Sequence, residues 1–253
     1  MLVSVLINGH REGRLLWHAL KSVHAAAKAA SSNKAEIEVI LVLDRPDDIT
    51  LEVSRQMHNL ITKTIIADAG DLGFARNLGV QNATGDVLAL LDADDLWGTG
   101  WIRDALLYLE RSGPKVVLHP QVSQFFGSEV CGWQSPSMSD PGFSVTSLLG
   151  NNVWTSAAMA PIETFRRVPI RTRPSEGRFG YEDWSWNCDT IAAGYFHYTV
   201  PETLHFIRRS ESSLSRTMMR ANNLPIPHNL TLKRALEIDE WRKQHAGRVS
   251  PSC

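Results

Sequence analysis

The most regular feature of the hydrophobic pattern is Val87–Leu91, an unbroken VLALL that follows a glycine turn and runs into an acidic cluster. A strand buried on both faces of a parallel sheet reads this way, because neither face carries polar groups. Comparable apolar runs recur at Leu2–Ile7, Ile37–Leu43, Thr64–Ala67 and Val116–Leu118. Between them lie helical stretches, most clearly Leu15–Ala30, where Leu16, Leu20, Val23 and Ala27 fall on one face. Strands alternating with helices predict an α/β fold, with a mostly parallel central sheet and flanking helices on both sides. At 253 residues the chain is long enough for one large domain, residues 1–253, with a well-filled core.

From about His119 to Asp140 the pattern loosens. Gly127, Gly132 and Pro136, with Pro141 and Gly142 just beyond, punctuate a polar and aromatic segment that reads as loops with one short strand pair. Irregular segments on a rigid scaffold commonly carry specificity. Arg171–Arg178 (RTRPSEGR) reads as a loop, either a cover that closes over a ligand or an ordinary surface connection. The last helix, about Leu230 to Gln244, sets Leu232, Leu236 and Trp241 among Lys233, Arg234, Arg242 and Lys243. A basic amphipathic helix of this kind packs its apolar stripe on its own domain or rests on a membrane surface.

The acids that follow the VLALL strand are Asp92, Asp94 and Asp95. In open α/β sheets, ligands sit outside the carboxyl ends of strands. If the extended backbone persists, Asp92 and Asp94 point one way and Asp95 the other. Two carboxylates on one side suit a hard cation, which shares its shell with waters and substrate phosphates. On its own, Asp-Ala-Asp-Asp reads equally as a solvated turn. Ahead of the strand, Gly73–Ala83 carries helix formers and stops at Thr84-Gly85. Arg76 and Asn77 fall near the helix start, where free N–H groups and the dipole favour an anion such as phosphate. Standing alone, Arg76 reads as a solvated surface arginine.

Taken in order, Gly73, Ala75-Arg76-Asn77, Gly79, Gly85-Asp86, the apolar strand and Asp92-Ala93-Asp94-Asp95 resemble the family 2 glycosyltransferases of the GT-A fold. The last element matches that family's DXD motif with a further Asp. The resemblance extends back to VSVLINGHREGRLLWHALKSV, similar to the family's first strand and helix, with Asn8 and Gly9 in place of the usual proline and threonine. It includes the strand Glu36–Leu43, which ends in Asp44 and is followed by Arg45-Pro46 rather than the common Asp-Gly-Ser. Further on, Asn151–Arg167 resembles the acceptor-side segment, and FGYEDW at Phe179–Trp184 resembles the Glu-Asp motif that opens a helix. Ile207-Arg208-Arg209 and Ser213-Leu214-Ser215 are similar to the family's tail motif, with Ser210 where a histidine usually stands.

The resemblance implies a nucleotide-sugar-binding half at 1–118, an acceptor and catalytic half at 119–229, and a carboxyl-terminal helix and tail at 230–253. It implies Mn2+ or Mg2+ held by Asp94 and Asp92, and donor contacts from Asp44, Arg76, Asp92, Glu182 and Arg208. Asp44 would meet the base or ribose, and Arg208 the departing phosphates. Asp183 would be the base of an inverting transfer from a nucleotide-diphosphate sugar to a hydroxyl of a glycan or lipid-linked acceptor. The Gln-x-x-Arg-Trp motif of processive members is absent, so one sugar per encounter is expected, in bacterial surface polysaccharide synthesis. Two alternatives stay open: a non-catalytic nucleotide-sugar-binding or partner-binding module, and a sugar nucleotidyltransferase, for which Gly9-His10-Arg11-Glu12-Gly13 is a poor glycine-rich loop.

Charge narrows the partners. With 26 basic against 27 acidic residues, nothing calls for a nucleic acid. Cys131, Cys188 and Cys253 suggest neither a disulfide framework nor a zinc site, and a reducing cytoplasm fits them. No run approaches the roughly 20 apolar residues of a membrane span, and Met1–His10 is unlike a signal peptide. A cytoplasmic protein is expected, with peripheral contact at the inner face of the plasma membrane as the one membrane role.

Overall fold

A computed structural model describes residues 1–31, 34–175, 178–211 and 213–245. Cys253, and Glu176 and Gly177 of the Arg171–Arg178 loop, lie outside the described residues. The first half runs β1 (Leu2–Gly9), α1 (Leu15–Ala30), β2 (Glu36–Asp44), α2 (Asp48–Gln56), β3 (Lys63–Ala67), α3 (Leu72–Asn82), β4 (Val87–Asp92), β5 (Leu96–Trp97) and α4 (Trp101–Arg111). The second half runs β6 (Val116–Gly127), β7 (Gly132–Gln134), β8 (Met159–Pro161), α5 (Ile162–Arg167), β9 (Phe179–Gly180), α6 (Glu182–Ala192), β10 (Phe196–Arg209), α7 (Leu214–Arg220), β11 (Leu224–Pro225) and α8 (Leu232–Gln244).

One sheet carries both halves, in the order β3-β2-β1-β4-β8-β6-β10-β5, with β7 added on β6. The pairs β1–β2, β2–β3, β1–β4 and β6–β10 are parallel, whereas β8 lies antiparallel between β4 and β6. Chain order reverses between β1 and β4, the kind of switch point that opens a crevice at strand carboxyl ends. The register there sets Asn8 beside Asp92.

Strand alternation divides the core. Val3, Val5, Ile7, Ala89 and Leu91 join Leu16, Leu20 and Val23 of α1 and Ile102 and Leu106 of α4 on one face. Leu6, Ile40, Leu88 and Leu90 join Ala75 and Val80 of α3, Phe165 and Trp186 on the other. Leu6 is fully buried, a transfer worth about 2 kcal/mol. Helix α3 reaches it only because residue 79 is glycine, since an added Cβ would overlap the Leu6 side chain. On α1 the innermost residues include Ala26 and Ala30, with Ala27 half-buried at the edge of the stripe.

Two sequence expectations give way here. The segment expected to break into loops after His119 continues as β6 to Gly127, because β10 supplies a parallel partner as far as Arg209. Gly127, at φ +102°, then ends the strand, and β6–β7 is the short antiparallel pair. Helix α8 is turned the other way from its apolar stripe: Leu232, Leu236 and Trp241 are 59%, 52% and 42% exposed. Its inner face is Ala235, Ile238 and Asp239, and Arg242 turns inward to donate to the Met138 and Phe143 carbonyls at 2.7 and 2.8 Å. Asp239 accepts from the amides of Val145 and Thr146, so polar anchors decide which face is inside. Among the described residues no helix is long and apolar enough to cross a membrane.

Candidate active site

The extended backbone of β4 stops at Asp92. The Asp95 amide donates to the Asp92 carbonyl at 3.0 Å, so the acids sit on a turn and the strand alternation expected through Asp95 does not persist. Asp95 turns inward, accepting from the Arg208 amide at 2.8 Å and lying 3.1 Å from His205 Nε2. Burial raises its carboxyl, with His205 opposing that rise. Asp94 stays at the mouth of the cluster, 31% exposed, with the Arg208 guanidinium 3.7 Å away. Burial, Asp95, Asp92 and Glu12 together push the Asp94 carboxyl up to about 8, against the pull of Arg208.

Asp92 has different company. Its Oδ1 accepts from Arg76 at 2.8 Å and its Oδ2 from the Ser156 hydroxyl at 2.8 Å. Burial works against its charge, but the Arg76 guanidinium and these hydrogen bonds outweigh it and hold the carboxyl below its ordinary range. The other arm of Arg76 donates to Glu182 Oε1 at 2.7 Å, and the arginine side chain is 1% exposed. Arg76 is therefore neither a surface arginine nor a group reaching for phosphate. It is a buried strut between the end of β4 and the start of α6, and Glu182 spends its carboxylate on the same pair. Helix α3 is held for this by Asp71, which accepts from the Phe74 amide at 2.7 Å as its N-cap.

Asp183 lies in the first turn of α6. The turn before it holds Tyr181 at φ +59°, a left-handed conformation uncommon for a bulky residue and found where neighbours constrain the backbone. Asp183 Oδ1 accepts from the Trp184 amide at 2.8 Å, and Oδ2 accepts from Asn152 at 3.0 Å. Burial and the neighbouring Glu182 push the carboxyl up to about 6, with Arg76 opposing them. Asp183 and the Asp92–Asp95 turn are thus joined through Arg76 and through one loop, in which Asn152 meets Asp183, Thr155 meets His205 at 3.2 Å and Ser156 meets Asp92.

Asp44 ends β2 as the sequence implies, but its carboxylate is occupied by the next loop. Oδ1 accepts from the Ala69 amide at 2.8 Å and Oδ2 from the Asp71 amide at 3.1 Å. The residues brought together are Arg76, Asp92, Asp94, Glu182, Asp183 and Arg208, whereas Asp44 braces the loop that leads into α3. Sequence reasoning missed Glu12, Asn152, Thr155, Ser156 and His205. Glu12 sits in the turn after β1, where its Oε2 would lie 3.2 Å from a Cβ added at Gly9. Its position after the first strand was the available signal. The imidazole near the acids comes from His205 within β10 and faces Asp95, while Ser210 follows the end of that strand.

Among the described residues no three His, Cys, Asp or Glu side chains are arranged as a ready ligand shell. The donor chemistry nevertheless fits a hard divalent cation. Asp94 faces more negative than positive neighbours, and ions of this kind commonly take one or two carboxylates and complete their shell with waters and substrate phosphates. Asp92, already satisfied by Arg76 and Ser156, is placed to support Asp94 more than to ligate.

Residues 4–166, more than half of the chain, match the family described as "Glycosyl transferase family 2". An uncharacterised glycosyltransferase of Nostoc sp. (strain PCC 7120) is 34% identical over 101 residues, covering 38% of this chain and 29% of that protein. A second, from Haemophilus influenzae, is 26% identical over 114 residues, covering 44% and 33%. The chain thus matches about a third of the length of these curated relatives. Among solved structures, Staphylococcus aureus TarS 1–349 in complex with UDP-GlcNAc aligns with a TM-score of 0.65 at 16% identity, over 84% of this chain and 60% of that one. The Pyrobaculum calidifontis mannosyltransferase PcManGT, in complex with GDP-Man and Mn2+, aligns with a TM-score of 0.57 at 16% identity, over 83% and 58%. The large, mostly parallel sheet with flanking helices is the GT-A fold, and by its own sequence the chain belongs to glycosyl transferase family 2.

Proposed function

We propose that the protein is a metal-assisted, inverting glycosyltransferase that moves one sugar from a nucleotide-diphosphate sugar to a hydroxyl of a glycan or lipid-linked acceptor. The observation that carries this reading is the pairing of two unlike carboxyl groups through one buried arginine network. Asp94 sits among acids that push its carboxyl up to about 8, so its ionised form calls for a cation beyond Arg208, and Asp183 is set to ionise at about 6. Nucleotide sugars bound to TarS and PcManGT, and Mn2+ in the latter, support the donor class and a divalent ion.

On this reading Asp94 would hold Mn2+ or Mg2+, which would neutralise charge on the departing diphosphate. Arg208 lies beside Asp94 and offers a planar guanidinium to the phosphate oxygens. Asp183, ionised at neutral pH and above, takes the proton of the acceptor hydroxyl as its oxygen attacks the anomeric carbon from the face opposite the leaving group. A base with a pKa near the working pH combines adequate ionisation with adequate basicity. Arg76 and Glu182 act by fixing Asp92 and Asp183 relative to one another. Asp44 acts by bracing the loop at Ala69–Asp71. Contact with a membrane, where a lipid-linked acceptor would sit, falls to the outer face of α8. Assembly of bacterial surface polysaccharide is the setting this chemistry suits.

The test is Asp183→Asn. Nucleotide binding should be retained while transfer falls by at least about a hundredfold, the range of a lost general base. A variant that transfers sugar at the wild-type rate removes Asp183 from this role.

A further inference from the structure

The Asp183 carboxylate is held by a chain of two asparagines. Asn152, in the loop before β8, donates from Nδ2 to Asp183 Oδ2 at 3.0 Å. Asn187, one turn further along α6 and 1% exposed, donates from its own Nδ2 to Asn152 Oδ1 at 3.4 Å. A carboxamide has one donor end and one acceptor end, so the Asn187 contact fixes which end of Asn152 faces the acid. The reverse orientation would set carbonyl oxygen against carboxylate and donor against donor. The other carboxylate oxygen is taken by the Trp184 amide at 2.8 Å. Each oxygen of Asp183 therefore has one fixed donor, and lone pairs remain on both for a substrate hydroxyl.

We propose that Asn152, oriented by Asn187, is a positioning residue that fixes the rotamer of Asp183 and favours its ionised form in the transfer reaction. This rests on the reading of Asp183 as the base. The same loop sends Ser156 to Asp92 at 2.8 Å, so the carboxylate on the donor side and the acid on the acceptor side are set by one short stretch of backbone. A donor held against the Asp92–Asp95 turn thereby meets an acid already aimed.

The first arm of the test needs no substrate. Unfolding is followed in urea from pH 5 to 8 for wild type, Asn152→Leu, Asp183→Asn and the double variant. Removing a donor from an ionised acceptor disfavours the charged form, so the coupling between the two sites should grow as pH rises through the ionisation of Asp183. Its midpoint should move up by about one pH unit in Asn152→Leu, the change expected for one hydrogen bond to a charged group. A coupling that does not change with pH would overturn the proposal, because a purely structural contact behaves that way.

The second arm measures nucleoside diphosphate release with UDP-GlcNAc and GDP-mannose as donor probes. Asn152→Leu should lower kcat about tenfold and move the acidic limb of the rate profile upward, with donor affinity within about twofold of wild type. An inactive Asp183→Asn beside an Asn152→Leu with wild-type kcat and pH profile would sink the positioning role alone. An active Asp183→Asn would remove the base assignment, and the role of Asn152 in transfer with it, even where the pH-dependent coupling is present.

Discussion

Replacing Arg76 with methionine removes the buried guanidinium that bridges Asp92 and Glu182 beside Asp183, and its consequences are calculable. The side chain is 1% exposed and bonds Asp92 at 2.8 Å and Glu182 at 2.7 Å. Each attraction is about 4 kcal/mol at an effective dielectric of 20 and a 4 Å separation of charge centres, but much of that offsets the cost of burying the charges. The net loss on deleting one partner of a buried pair is about 3–5 kcal/mol, because the remaining charges stay uncompensated. The sign of the pH dependence is the sharper test. Arg76 holds Asp92 below its ordinary range and opposes the rise of Asp183 from 3.8 to about 6. Without it, both carboxyls ionise at higher pH in the folded chain than in the unfolded one. Their contribution is then fully present below about pH 4 and is lost as pH rises through the folded-state values. The deficit of the variant should therefore be smaller at pH 5 than at pH 8, by about 1.4 kcal/mol for each pH unit between those limits through which the loss of Arg76 carries a carboxyl's ionisation upward. Urea unfolding with linear extrapolation at the two pH values measures it. An equal deficit at both would refute the strut.

The Asp94 carboxyl, pushed from 3.8 to about 8, resists ionisation in the folded state, so its contribution is lost as pH rises from about 4 towards 8. Asp94→Asn should raise the melting temperature of the metal-free protein at pH 8. The gain is at most about 5 kcal/mol, and about half that after discounting for its 31% exposed side chain, whereas a lower melting temperature would contradict the picture of a charge-strained turn. His119 and His197 form a buried, neutral pair at 2.9 Å, with burial lowering His119 to about 3. Both bind protons more readily unfolded, so stability should fall as pH drops from about 6.5 towards 3 by up to about 1.4 kcal/mol per pH unit for each imidazole; His119→Gln should flatten that slope in urea titrations, and an unchanged slope would count against the pair.

What the sequence made legible is what neighbouring residues determine. The VLALL strand, the glycine stop before it and the acids after it are adjacent, so the crevice at the end of β4 was readable as local pattern. The side-chain directions at Asp94 and Asp95 were not, because a turn closed by the Asp95 amide replaces the strand there. Arg76 was identifiable as a candidate, yet its role depends on Glu182, which the fold brings to it from 106 positions away. Asn152 and Ser156 were legible only as members of the Asn151–Arg167 segment, since ordinary polar residues become individually informative only when the sheet sets their loop beside Asp183 and Asp92. Helix α8 misled because its polar residues, Asp239 and Arg242, find backbone partners on the domain and take the inner face that apolar residues usually hold.

The most direct test of the central claim, that the Asp92–Asp95 turn receives a nucleotide diphosphate with a divalent ion, is calorimetric titration of UDP and GDP with and without Mn2+ into wild type, Asp94→Ala and Asp183→Asn. The account predicts Mn2+-dependent binding of one nucleotide to wild type and Asp183→Asn and its loss in Asp94→Ala; binding of equal strength in all three proteins, or to none of them, would contradict it.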